Sequence, residues 1–247
     1  ELRLRGLFDE TLEDFFAAAV SAKRNIVIAG GTGSGKTTLL RALINEVSAS
    51  ERIVTIEDAY ELGLDRFEDL HPDHDALQSR PANIEGRGEI TLADLTRMAL
   101  RMDPDRVIVG EVRGAEAFPM LMAMSQGNNG SMCTMHADST RSVFPKLAAY
   151  VSMASTGLPV ETVNLLVASA IHFVVYIDNT DSVRRVTSVR EVVDSEGSII
   201  VSNEIFHLNT EDGLVTGFPL REHTRKLLAA HGLGTRISSV QKIENAS

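Results

Sequence analysis

Cysteine is almost missing from this sequence: Cys133 stands alone among 247 residues. A single cysteine excludes a disulfide framework and any zinc site built from several thiolates, and it suits a reducing cytoplasm. No apolar run approaches the ~20 residues that a membrane-spanning helix needs. The opening residues, "ELRLRGLFDE", hold neither the apolar core of a signal peptide nor an initiator Met. A piece of a longer protein is the expectation. Positive charge is in deficit too, with 24 Lys and Arg against 34 Asp and Glu and a formal net charge of −10. Nucleic-acid translocases normally carry a basic footprint, so this balance argues against one, although a local basic stripe can sit on an acidic body. Internal repeats and low-complexity segments are also lacking.

What is present is a chain long enough for a full core, as one domain with an appendage or two small ones. Its 43% hydrophobic content is that of a soluble globular protein. Leu12, Phe15, Phe16, Ala19 and Val20 recur at helical spacing, which predicts an amphipathic helix over 11–22 with Thr11 and Asp14 as a capping box. "NIVIAGG" reads as a strand running into a glycine turn, "KTTLLRALINEV" as a helix and "ERIVTIED" as a strand. Residues 63–90, rich in Asp, Pro, Gly and His, read as a long loop of the kind that usually carries function. Thr91 and Asp94 cap a helix, "TLADLTRMALRM", that turns Leu92, Leu95, Ala99 and Met102 inward. Further on come a strand at Val107–Val109, a helix over about 115–125, a strand "SMCTM", and helices over 139–155 and 159–171.

From His172 the pattern becomes β-rich: "HFVVYID", "RRVTSVREVVD" and "SIIVSNEIFHL", the last two joined by the turn signal "DSEG". The fold class expected is α/β, with a mostly parallel sheet over 1–171 and a β-rich C-terminal extension over 172–247.

The strongest chemical signal is "GGTGSGKT" between a strand and a helix: Gly30, Gly31, Thr32, Gly33, Ser34, Gly35, Lys36, Thr37, with Thr38 following. Glycines at this spacing let the backbone N–H groups turn toward phosphates, and the helix adds its positive N-terminal end. Lys36 supplies a charge for the β- and γ-phosphates, and the hydroxyl of Thr37 suits Mg²⁺. ATP or GTP binding follows.

Three more apolar runs stop at Glu57, Glu111 and His136. If their strands are parallel, these residues share one sheet edge with Gly30, the edge where open α/β sheets bind ligands. A lone carboxylate after a strand is usually a solvated loop residue. Three acidic or histidine termini beside a phosphate loop reverse that reading. Glu111 then holds Mg²⁺ through water or orients the attacking water, and Gly110 removes a side chain next to the γ-phosphate.

Arg80, Arg87, Arg97, Arg101 and Arg113 cluster around this stretch, which suggests neutralisation of transition-state charge, in part from a neighbouring subunit. Weaker features have plainer readings. The "HPDHD" cluster (His71, Asp73, His74, Asp75) lacks a second set of metal ligands and reads as loop polarity. Met120, Met122 and Met124 read as core filling, and Cys133 as inert in a buried strand.

The motifs "GGTGSGKTTLL", "IVTIEDAYEL", "RPANIEGRGEITLADLTRMALRMDPDRVIVGEVRGAEA" and "GNNGSMCTMHADS" resemble, in order, the Walker A, Asp box, Walker B and His box of the type II/type IV secretion ATPase superfamily. Within it they are most similar to the CpaF-type ATPases of tight-adherence (Flp) pilus assembly, over about residues 3–208. The resemblance implies a RecA-like domain in a homohexameric ring, ATP and Mg²⁺ between subunits, and a separate N-terminal domain that this chain lacks. It implies phosphate and magnesium contacts for Lys36 and Thr37, shared catalytic and metal roles for Glu57 and Glu111, and γ-phosphate sensing by His136. Arg101 and Arg113 match arginines of the Walker B region, in cis or in trans. Partners implied are inner-membrane platform proteins, with the chain cytoplasmic and peripheral at that membrane. The tetracysteine zinc module of some relatives is absent, and Cys133 and Met135 depart from the smaller or more aliphatic residues usual beside the His box. The rival functions are a DNA-translocating P-loop motor, which the charge of −10 disfavours, and a nucleotide-gated assembly module with negligible hydrolysis.

Overall fold

In the computed structural model, residues 1–67, 69–180, 183–209 and 213–234 are described. The apolar runs become strands because both of their faces are covered: all five residues of β1 (Ile26–Gly30) and of β2 (Ile53–Glu57) are buried. Burial on two faces is what turns alternation into continuous hydrophobic runs. Among the described residues one nine-stranded sheet forms, in the order β3-β2-β4-β5-β1-β6-β7-β8-β9. The other parallel strands are β3 (His74–Gln78), β4 (Arg106–Val112), β5 (Met132–Met135) and β6 (Phe173–Thr180). The antiparallel strands β7 (Val183–Glu196), β8 (Ile199–Asn209) and β9 (Gly213–Thr216) extend it.

Helices cover both faces. α1 (Glu10–Ser21), α2 (Lys36–Ile44) and α7 (Glu222–Ala230) bury Phe15, Leu40 and Leu228 with Ile26, Ile28 and Ile108. α3 (Leu92–Ala99), α4 (Ala117–Ser125), α5 (Val143–Met153) and α6 (Val160–Ala170) pack Leu95, Met120, Leu147 and Val167 on Val27, Val54 and Val109. Thr91 and Asp94 form the expected capping box of α3. Leu92, Leu95 and Ala99 are buried as expected, whereas Met102 is half-buried beyond the helix end. Met120 and Met124 fill core, with Met122 half-buried beside them.

The structure differs from the sequence expectation at several points. α1 is capped by Asp9, whose carboxylate accepts the Leu12 N–H at 2.9 Å, so Thr11 lies inside the helix and does not cap it. The expected loop over 63–90 contains a 3-10 turn (Leu64–Phe67) and the edge strand β3, parallel to β2. The polar stretch "HDALQ" pairs through its backbone with one side open to solvent, so it shows no hydrophobic alternation. The β-rich extension expected after residue 171 is no departure: it continues the same sheet, since β6 pairs with β1. The C-terminal segment also carries α7, and residues 235–247 of it lie outside the described residues.

Asn25, fully buried just before β1, ties the base of the sheet together. Its amide donates to the carbonyls of Met124 (2.8 Å) and Ala170 (2.6 Å) and accepts from the N–H groups of Gly130 (2.7 Å) and Ser131 (3.0 Å). That fixes the strand whose opposite end opens into the glycine loop.

Candidate nucleotide site

β1 ends at Gly30, and a side chain there would meet the Ile177 carbonyl and the Ser34 hydroxyl, each 2.5 Å from a Cβ. Gly35, the N-cap of α2, has φ +100°, a left-handed conformation that favours glycine. No side chain caps α2 and no acidic residue occupies its first turn. The first N–H groups and the positive end of the helix are therefore open to an anion. Lys36 is buried to 7% exposure and its Nζ donates to Gly31 O at 2.8 Å, which folds the lysine across the loop. Burial holds its pKa below the ordinary lysine value, against the opposing pull of the Glu111 and Glu61 carboxylates. The buried Ser34 hydroxyl has no hydrogen-bond partner among the described residues. Thr32, Gly33 and Thr37 line the cleft, and Thr38 sits exposed in the first turn of α2.

The parallel registers of β1, β2, β4 and β5 bring Gly30, Glu57, Glu111 and His136 to one edge, around a cleft of about 300 Å³. Glu111 owes its aim to an irregularity. The β4–β5 register shifts between Val109 and Val112, where β4 holds one residue more than β5. Such a bulge re-aims a side chain at a strand end. His136 Nε2 lies 2.9 Å from Glu111 Oε1, within hydrogen-bond reach. The Thr134 hydroxyl donates to Gly110 O at 2.6 Å and holds the bulge from the next strand.

Gly110 lines the cleft and also serves its neighbour strand. A Cβ on it would lie 3.0 Å from Glu57 Cγ, so the glycine makes room for a carboxylate on the neighbouring strand. Glu57 itself is nearly buried, and its Oε1 accepts the N–H groups of Glu61 (3.0 Å) and Leu62 (2.9 Å). Desolvation raises its pKa, with the two backbone bonds working the other way. The loop it folds presents Glu61 to the cleft, 3.3 Å from the hydroxyl of Thr37. Sequence reasoning missed Glu61 because it lies past the strand end. The signal available was a carboxylate four residues after Glu57.

Arg113 reaches the cleft and pairs with Asp58. Its turn is shaped by Glu116, whose Oε1 accepts the N–H groups of Arg113 (2.5 Å) and Gly114 (2.8 Å). Arg101 does not line the cleft of its own chain; it is exposed after α3, with Nη1 3.5 Å from Arg97 O. Arg97 pairs with Asp94 on the same helix, Arg80 donates to Gly88 O at 2.8 Å, and Arg87 is exposed. In the "HPDHD" cluster Asp73 and Asp75 both pair with Arg52, and His74 Nδ1 is 2.8 Å from His71 O. Cys133 is fully buried, and burial pushes its thiol pKa up.

A glycine phosphate loop between β1 and α2, with carboxylates and a histidine on adjacent parallel strand ends, defines a RecA-like P-loop nucleotide-binding protein. Residues 1–198 match the family described as "Type II/IV secretion system protein", and the chain belongs to that family. The type IV secretion system protein VirB11 of Brucella suis is 39% identical over 168 residues, 67% of this chain and 45% of that protein. PtlH of Bordetella pertussis, also a type IV secretion system protein, is 40% identical over 178 residues, 70% of this chain and 50% of that protein. The crystal structure of the VirB11 ATPase of the Brucella suis type IV secretion system, in complex with sulphate, superposes with a TM-score of 0.64 at 34% identity. It covers 76% of this chain and 53% of that one. The chain thus spans about half the length of the relatives it matches. Among the described residues no helix is long and apolar enough to cross a membrane.

Proposed function

We propose that this chain is the ATP-hydrolysing motor domain of a homohexameric ring, and that it powers pilus assembly or type II/IV secretion at the cytoplasmic face of the inner membrane. Inner-membrane platform proteins are its partners in this reading. The observation that carries it is the pairing of Glu111 with His136 on the same strand edge as the P-loop, opposite Lys36 and Thr37.

The donor set fits Mg²⁺, a hard cation that takes oxygen ligands. Thr37 would hold it, with Glu61 and Glu111 acting through its water shell. When bound, the ion neutralises charge on the β- and γ-phosphate oxygens. Lys36 and the N–H groups of the loop and of Thr37 and Thr38 grip the phosphates. Glu111 orients the attacking water and receives its proton, and His136 couples that carboxylate to the γ-phosphate position. Glu57 supports the same chemistry by fixing the turn that carries Glu61. Arg113 acts beside its own cleft, and Arg101, remote from that cleft, acts across an interface between subunits.

Ring action is tested on the full-length protein by concentration dependence and by mixing. Hydrolysis should rise more steeply than first order in protein. Inactive Arg101→Ala mixed with inactive Lys36→Ala should regain activity, because one interface then holds both intact halves. Linear dependence without rescue in stable assemblies contradicts an arginine acting in trans.

A further inference from the structure

The cleft is short of positive charge for the ligand proposed above. Among the described residues Glu57, Asp58, Glu61 and Glu111 line it against Lys36 and Arg113, and Arg113 is already paired with Asp58. A nucleoside triphosphate stays anionic even with one Mg²⁺ bound, so another cation is called for. All four carboxylates and His136 stand on β2, β4 and β5 or directly after them, and the sheet order puts those strands on one side of β1. The γ-phosphate must point to that side, toward the water-activating groups. The α-phosphate end of a nucleotide laid along the loop then points the other way, toward β6 and β7.

An arginine waits there. Arg184, near the start of β7, pairs in register with Asn179 of β6. Its side chain runs against the phosphate loop: a Cβ on Gly35 would be only 3.5 Å from Arg184 Cδ. The guanidinium lies two bonds beyond this Cδ, on an arm long enough to reach a phosphate seated in the loop. It is exposed, and it makes no hydrogen bond or ion pair with any described residue. Its neighbour Arg185 points to the opposite face of the strand, as alternation requires, into a separate cavity with Asp178.

We propose that Arg184 is a second cationic ligand of the polyphosphate, gripping the α-phosphate from the β6–β7 side while Lys36 holds the β/γ end. The inference rests on the P-loop reading of the site. A guanidinium offers paired donors that match two phosphate oxygens.

The test is calorimetric, with Mg²⁺ present and ADP, ATP and inorganic tripolyphosphate as separate probes. Arg184→Ala should weaken all three about 5- to 20-fold, and Arg184→Lys should recover part of the loss by restoring charge. Arg185→Ala is the neighbouring control and should bind as the unaltered protein does. Both arginines are exposed, so the variants should keep its melting temperature. Affinities for Arg184→Ala within twofold of the parent overturn the inference. So does a loss confined to ADP and ATP with tripolyphosphate unaffected, which would place the contact on the nucleoside. Failure of the underlying reading looks different: Lys36→Ala would then bind all three probes as tightly as the parent.

Discussion

Glu57 Oε1 accepts the backbone N–H of Glu61 at 3.0 Å, and this bond gives two carboxylates of one loop separate tasks. Glu57 is turned inward and spends its carboxylate on the fold of residues 58–62. Glu61 faces the cleft beside Thr37. Glu61→Gln should therefore leave the melting temperature nearly unchanged while turnover of the full-length enzyme drops roughly 10-fold or more. A Glu61→Gln enzyme with normal turnover would remove Glu61 from the site chemistry.

Glu57 should reveal itself through pH. Its folded pKa is raised by burial, so the folded chain holds this proton more tightly than the unfolded chain does. Stability from this group is present below the ordinary carboxylate value and is lost as pH rises through the folded one. Glu57→Gln keeps an oxygen for the two backbone bonds and removes that loss. Melting curves should show the variant higher by about 1–3 °C at neutral pH, with the gain vanishing near pH 4. A variant that melts lower at pH 7 would contradict this account.

Glu111→Gln preserves shape and the contact with His136 while removing the charge. Nucleotide should still bind, and turnover should fall roughly 10²-fold. Single-turnover kinetics on the full-length enzyme separates the two effects. Near-normal turnover would make Glu111 a bystander and shift the role of base to Glu57 or Glu61.

Asn25→Ala removes four hydrogen bonds from a site with no access to water. The partners left buried and unpaired should cost about 3 kcal/mol or more. Urea unfolding measures it, and a loss below 1 kcal/mol would contradict the role of Asn25 as the tie beneath β1.

His172 predicts an acid limit. Desolvation, with help from Arg24 and Arg221, lowers its pKa to about 4, and its Nδ1 accepts the Asn25 N–H at 2.9 Å. The unfolded chain takes up this proton near the ordinary histidine value while the folded chain refuses it. Stability is therefore full above that value and falls as pH drops toward 4, by roughly 2–3 kcal/mol. His172→Gln, which can still accept the bond, should flatten the melting temperature between pH 6.5 and 4. Parallel curves for the two proteins would contradict this.

Much of this was legible in the sequence. The phosphate loop announces itself because its chemistry needs glycines and a lysine at fixed spacing. Glu57, Glu111 and His136 end apolar runs, so the parallel sheet alone brings them together. Glu61 was legible only as a carboxylate four residues after Glu57, since its place depends on a turn folded by hydrogen bonds to Glu57. The bulge that aims Glu111 is a register property of two strands, and neither strand encodes it alone. β3 was hidden because an edge strand pairs through its backbone and leaves no hydrophobic pattern. Arg184 lies 148 positions beyond Lys36 by their numbering and meets the loop only through sheet order.

Nucleotide binding by the P-loop is measured most directly by calorimetric titration of ATP with Mg²⁺. The parent chain should bind one nucleotide per protomer. Lys36→Ala should lose that binding strongly, about 10-fold or more, because neutral N–H groups cannot replace a full charge at the β- and γ-phosphates. Equal affinity of parent and Lys36→Ala would contradict the assignment of the cleft as a nucleotide site.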